Sequence, residues 1–154
     1  MNIEDLLAAE HVFADVKASS KKQILQTLSR KWAQLHGVDE RLAFDKLLER
    51  ERLGSTGVGR GIAIPHARIE GLENITGIFA RLSTPTDFGS VDDLPVDLVF
   101  MMFAPEDAGA DHLKALARVS RLLRDPTICD KLRQSTDAAA AYALLVHQPA
   151  SYAA

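Results

Sequence analysis

His66 is the side chain in this sequence best set up for nucleophilic chemistry. It closes the segment Ile62-Ala63-Ile64-Pro65-His66. On a strand it shares parity with Ile62 and Ile64, so its ring is expected on the side those two bury. Pro65 fixes its own φ and holds the residue before it in extended geometry. The imidazole therefore sits on a stiff support at the rim of a sheet. Ala67 leaves room beside it, and Arg68 brings a cation two residues on. A neutral imidazole attacks phosphorus well near neutral pH, and the N–P bond it forms is labile. The plain alternative is a half-buried histidine satisfied by backbone carbonyls. His112 follows Asp111, which reads as a helix cap. It shares a stripe with Leu116, Val119 and Leu123, so it points to the core side. A helix N-terminus favours a phosphate and disfavours a charged imidazole. Packing at a helix start is the competing reading. Two histidines also raise a metal site, but no third ligand stands at a usual spacing, and none is expected. His11, His36 and His147 read as surface or packing residues.

Upstream lies a glycine-rich loop, Gly54-Ser55-Thr56-Gly57-Val58-Gly59-Arg60-Gly61. Gly54 and Gly59 have Walker A spacing, but Arg60-Gly61 stand where lysine and a hydroxyl are needed. The order is also inverted, because a helix enters this loop and a strand leaves it. A dinucleotide fingerprint is absent, since Gly57, Gly59 and Gly61 are spaced two apart. Neither ATP nor NAD is expected. The loop can bring backbone N–H groups close to a ligand, with Ser55 and Thr56 adding hydroxyls. A hairpin-like connection explains the same glycines.

These residues need elements to position them. Ser20 and Gln23 form a capping-box pattern that opens a helix carrying Ile24, Leu28, Trp32 and Leu35, closed by Gly37. A second helix starts after Asp39, buries Phe44, Leu47 and Leu48, and ends at Gly54. A short strand covers 62–64 and stops at Pro65-His66. Strands are expected at 75–82 and, fully buried, at 97–103. A helix follows Asp111, carrying Leu113, Leu116, Val119 and Leu123. Asp125-Pro126 opens a shorter one with Ile128 and Leu132, and Asp137 an alanine-rich last helix. The order is helices, strands, helices. It predicts an α/β fold: one domain over 1–154 with a small mixed β-sheet flanked by helices, its core about 2–147, and a flexible C-terminal tail. Strict βαβ alternation is missing, which argues against a doubly wound dinucleotide fold.

Composition sets the limits. The 154 residues are 47% hydrophobic and 25% charged, enough for a core of one domain's size. A net charge of −3 gives no basic stripe for nucleic acid. No apolar run is long enough to cross a bilayer, and the acidic start lacks a signal peptide's layout. The single cysteine, Cys129, cannot form an internal disulfide and reads as a buried structural thiol. A cytoplasmic protein is expected.

The text from Arg50 to His66 resembles the active-site signature of the EIIA proteins of the phosphoenolpyruvate-dependent phosphotransferase system. The subgroup is the fructose–mannitol type, which includes the nitrogen-regulatory IIA proteins. The likeness continues through Pro95-Val96-Asp97-Leu98-Val99-Phe100 and His112-Leu113-Lys114-Ala115-Leu116-Ala117. Ala67 departs from the pattern, where glycine is more usual. The resemblance implies that His66 is the phosphorylated residue, with His112 and Arg50 as its active-site partners. It makes Ser55, Thr56, Gly57, Gly59 and Gly61 candidates to stabilise the transferred group. Arg60 and Arg68 would rim an apolar docking patch. No cofactor is implied. The donor would be an HPr-like phosphohistidine protein (NPr), and the regulated partners would be transporters or kinases. Such a protein is a carrier rather than a free-standing metabolic enzyme. The alternatives are a sugar-transport EIIA that passes its phosphoryl group to an EIIB, and a binding module that has lost phosphotransfer. The stand-alone chain and the stretch from Arg68 to Phe100 favour the nitrogen type.

Overall fold

The structure, a computed structural model, describes residues 1–147. The C-terminal tail expected to fray lies outside the described residues. A one-turn helix α1 (Ile3–Leu6) and a 3-10 turn (Ala9–His11) lead into strand β1 (Val12–Val16). Two helices follow, α2 (Lys21–His36) and α3 (Glu40–Leu53). Five strands come next: β2 (Gly57–Gly59), β3 (Ile62–Ala63), β4 (His66–Ile69), β5 (Thr76–Thr86) and β6 (Val96–Pro105). Helices α4 (Ala110–Leu123), α5 (Pro126–Gln134) and α6 (Ala138–Val146) close the described fold.

The sheet runs β1-β5-β6-β3-β2, and β4 also pairs with β6. It is mixed: β6 is antiparallel to β5 and parallel to β3 and β4. The last two therefore lie end to end along one side of β6. Ile62 stands opposite Leu98, and His66 opposite Met102. Pro65 separates them without breaking the ladder, because its carbonyl accepts from the Met102 N–H at 2.9 Å.

β6 is buried throughout, as its continuous apolar run requires. Val99, Met101 and Phe103 face a core shared with α2 and α3, built on Leu28, Trp32 and Leu47. Leu98, Phe100 and Met102 face a second core with Val119, Leu122 and Leu145. Helices thus cover both faces of one small mixed sheet, as expected.

Capping follows the sequence at most ends. Ser20 Oγ accepts from the Gln23 N–H at 3.1 Å, and Gly37 takes the left-handed conformation at φ 65°. The Gln23 side chain, however, reaches back to the Ser19 N–H rather than to Ser20. Asp125 and Asp137 cap α5 and α6 through their side chains.

Other expectations need correction. Leu35 is exposed, and Leu25 joins the buried stripe of α2 instead. The cap of α4 is Gly109 at φ 56°, without a side-chain bond, and Asp111 lies within the first turn. Leu113 is 66% exposed, not core. β1 and β4 are strands that the sequence reading did not contain.

Candidate functional site

His66 opens β4, the strand resumed after Pro65. Its parity with Ile62 and Ile64 is kept: those two line the α4 side of the sheet, while Ala67 and Ile69 pack on the α2–α3 side. His66 itself is half-buried. Its Nδ1 lies 2.9 Å from the Ile64 carbonyl. A carbonyl only accepts, so Nδ1 carries the ring proton and Nε2 carries the lone pair. Among the described residues no hydrogen bond engages Nε2. Burial pushes the His66 pKa below the usual imidazole value; the Ile64 bond opposes this, Arg50 adds to it and Glu51 opposes it. The ring is therefore neutral at physiological pH.

His112 sits in the first turn of α4, buried. Its ring stands edge-on to that of His66, with centroids 5.5 Å apart. Burial, then the charges of His66 and Arg68, push its pKa down to about 4. Its Nδ1 is buried and finds no partner among the described residues. Arg50 comes from the last turn of α3, and its Nη1 donates to the Gly54 carbonyl at 2.9 Å. Arg68 lies on the same side of β4 as His66 and is exposed. Together His66, His112, Arg50 and Arg68 line an open cleft of about 560 Å³ between the end of α3 and the start of α4. Its rim mixes the charged Lys46 and Glu49 with exposed apolar side chains, Leu53 at 84% exposure and Leu113 at 66%. Among the described residues no cluster of three or more His, Cys, Asp or Glu side chains could hold a metal ion.

The glycine loop is a β2–β3 hairpin on the sheet edge, with Gly57 opposite Ala63 and Gly59 opposite Ile62. Its tip points away from His66. Ile62 and His66 are four residues apart along β6, roughly 13 Å at strand rise. Arg60 donates from Nη1 to the carbonyl of Arg124, at the far end of α4 from His112. Twelve residues of helix separate those two, roughly 18 Å. Gly59, Arg60 and Gly61 thus stand outside the cleft, contrary to expectation. Gly61 is glycine for a backbone reason: it holds a left-handed φ of 82°, and a Cβ there would also press on the side-chain ends of Arg133 and Asp97. A Cβ on Gly57 would strike Ser90.

The two hydroxyls are turned inward. Ser55 Oγ donates to the Phe88 carbonyl at 2.6 Å and accepts from the Gly57 N–H at 3.0 Å. Thr56 is buried, and its Oγ1 donates to Glu51 at 2.6 Å. Neither hydroxyl is presented to the cleft as a free donor. Glu51 is the polar residue that sequence reading missed. It is buried on α3 beside Ala43 and Leu47. Its i+4 spacing from Leu47 was the available signal, an acid on an apolar stripe.

A neutral imidazole with a fixed tautomer, two guanidinium groups and a helix N-terminus make a cleft suited to an anionic group in transit. The comparisons with known proteins agree with that chemistry. The family model described as "Phosphoenolpyruvate-dependent sugar phosphotransferase system, EIIA 2" matches residues 5–148. A nitrogen regulatory protein of Bradyrhizobium diazoefficiens is 56% identical over 153 residues, covering 99% of this chain and all of the relative. The crystal structure of the nitrogen regulatory protein IIA-Ntr from Neisseria meningitidis superposes with a TM-score of 0.88 at 32% identity, over 94% of this chain and 99% of that one. IIA mannitol from Escherichia coli shares the fold, with a TM-score of 0.77 at 22% identity, over 90% and 98% of the two chains. The chain belongs to the EIIA type 2 family of the phosphoenolpyruvate-dependent sugar phosphotransferase system, among its nitrogen regulatory proteins.

Proposed function

We propose that this chain is a cytoplasmic phosphocarrier that takes a phosphoryl group on His66 Nε2 from an HPr-like (NPr) phosphohistidine protein. Its phosphorylation state then governs binding to regulated proteins such as transporters or kinases. The observation that carries this is the Ile64 carbonyl bond to His66 Nδ1, which leaves Nε2 as an unshared nucleophile in an open cleft beside Arg50.

The step balances without a proton transfer. The Nε2 lone pair attacks phosphorus in line as the donor's P–N bond breaks, and that electron pair returns to the donor imidazole. The Nδ1 proton stays on His66, so the ring gains positive charge, and the Ile64 carbonyl is placed to receive it. Arg50 and Arg68 supply cations to the equatorial oxygens, and His112, neutral at pH 7, offers a hydrogen bond. Leu53, Leu113 and Leu116 form the docking patch, with Arg68 at its rim. A second reading, a sugar EIIA that passes the group to an EIIB, draws on the family description, which names a sugar system. The names of the relatives given above favour the regulatory one.

The test is intact mass and ³¹P NMR after incubation with phosphoenolpyruvate, enzyme I and an HPr-like carrier. One acid-labile phosphoryl group is expected, bonded to Nε2. Incorporation that persists in His66→Ala would sink the assignment. Transfer onward to a sugar EIIB would favour the second reading.

A further inference from the structure

Glu51 is a buried carboxylate whose oxygens are fully engaged. Oε1 accepts from Lys21 Nζ at 2.8 Å and from the Thr56 N–H at 3.2 Å, and Oε2 accepts from Thr56 Oγ1–H at 2.6 Å. The Thr56 carbonyl in turn accepts from the Ile64 N–H at 3.0 Å. The Ile64 carbonyl accepts from His66 Nδ1–H at 2.9 Å. Three successive backbone-mediated links thus run from the ring to the carboxylate, and each donates toward Glu51. The N–H and C=O of Thr56 and of Ile64 lie in adjacent peptide groups, so these links fix position, while the Glu51 charge reaches the ring through space. Stability alone does not call for a carboxylate here. A buried ion pair does no better than apolar side chains of similar volume in many proteins. Its neighbours Ala43 and Leu47 show that the stripe is otherwise apolar.

We propose that Glu51 is a positioning residue for His66. Acting through Thr56 and Ile64, it holds the ring in its Nδ1–H form and stabilises the positive charge the ring gains when Nε2 takes a phosphoryl group. The second half rests on the phosphoacceptor reading; the first does not. The negative charge of Glu51 favours the protonated ring, against burial and Arg50. The other titratable and charged groups lining the cleft with His66 are Arg68 on its own strand, Glu106 before α4 and the neutral His112 on α4. Lys46 and Glu49 stand at the outer rim.

The experiment changes Glu51 alone, as Glu51→Gln, in the full chain. Glutamine keeps an oxygen for the Thr56 N–H and removes the charge. ¹⁵N-histidine NMR follows the His66 tautomer and titration midpoint. Single-turnover transfer from a phosphorylated HPr-like carrier gives the rate and the carrier KM. The wild type should show a single Nδ1–H tautomer. Glu51→Gln should lower the His66 midpoint and cut the transfer rate about tenfold at unchanged KM, and Glu51→Asp should recover part of it. If Glu51→Gln does not fold, Glu51→Asp decides the matter, through a lowered midpoint and a slowed transfer at unchanged KM. Midpoint, tautomer and rate all matching wild type in folded variants would make Glu51 a mere staple between α3 and the hairpin. A wild-type protein that takes no phosphoryl group would remove the phosphoacceptor reading, and tautomer and midpoint would then decide the positioning role alone.

Discussion

Two pairs of histidines flank one row of the sheet. His66 stands opposite Met102, Met102 opposite Gly77, and the Gly77 carbonyl bonds His11, whose ring lies 5.0 Å from that of His36. The pairs look alike by simple measures. Ring separations are 5.5 and 5.0 Å, and burial is the main cause lowering all four pKa values. Their settings differ. The His11–His36 pair packs on Trp32, which itself stacks on Phe103 and donates Nε1 to Thr76. The charges that shift it come from Glu10 and from the pair itself. The His66–His112 pair opens on a cleft and feels Arg50 and Arg68. Proximity and a depressed pKa therefore do not mark a site. Nor does a ring nitrogen held by a carbonyl, which both pairs have; an approach path and nearby cations do.

The sharpest break between the pairs is chemical. His66→Ala should remove phosphoryl incorporation completely, while His36→Gln should leave it at the wild-type level by intact mass. Equal loss in both would erase the distinction. The next largest effect is on stability. Trp32→Ala, beneath the second pair, should cost about 3–5 kcal/mol in urea unfolding. The transfer rate per folded molecule should not change.

Arg50→Gln separates the pairs through their cations. Transfer should slow roughly 10- to 100-fold, about 1.4–2.7 kcal/mol of transition-state stabilisation, as measured by single-turnover kinetics. A wild-type rate would leave Arg50 as a helix-end residue bonded to Gly54.

The smallest effect is on pH dependence. A histidine whose folded pKa is depressed binds fewer protons folded than unfolded between the two values. Stability is then full above the unfolded value of 6.5 and falls as pH drops through 6.5 toward about 4, where folded His112 protonates. His112→Asn should flatten the fall of the urea midpoint over that window. It should not abolish it, because the other three histidines act with the same sign. An unchanged slope would show that His112 titrates normally.

Much of this arrangement was legible in local sequence. Helix periodicity gave α2 and α3, cap residues placed α5 and α6, and the apolar run gave β6. The side on which His66 lies followed from parity. The strand it opens did not, because a proline reads as a stop, yet Pro65 keeps the ladder through its carbonyl. β1 alternates Val12, Ala14 and Val16, a weak signal with one small residue and an aspartate between. The hairpin glycines misled for a different reason. Gly57 is required by Ser90, a contact 33 residues away that no local pattern carries, and Gly61 by its left-handed φ of 82°. Glu51 was hidden inside a charged helix end, where an acid passes for a solvated one.

The parallel pairing of β4 with β6 has a consequence for synthesis. His66 leaves the ribosome well before its scaffold: its strand partner is Met102 and its ring neighbour is His112. At about 5–20 residues per second, the nascent chain carries the histidine for several seconds with nothing to hold it. The ring acquires its place on the sheet and its neighbour His112 only when the later elements join, so the cleft around the nucleophile arises in one late folding event. A truncated chain ending before β6 would carry the whole Arg50–His66 signature and none of its geometry.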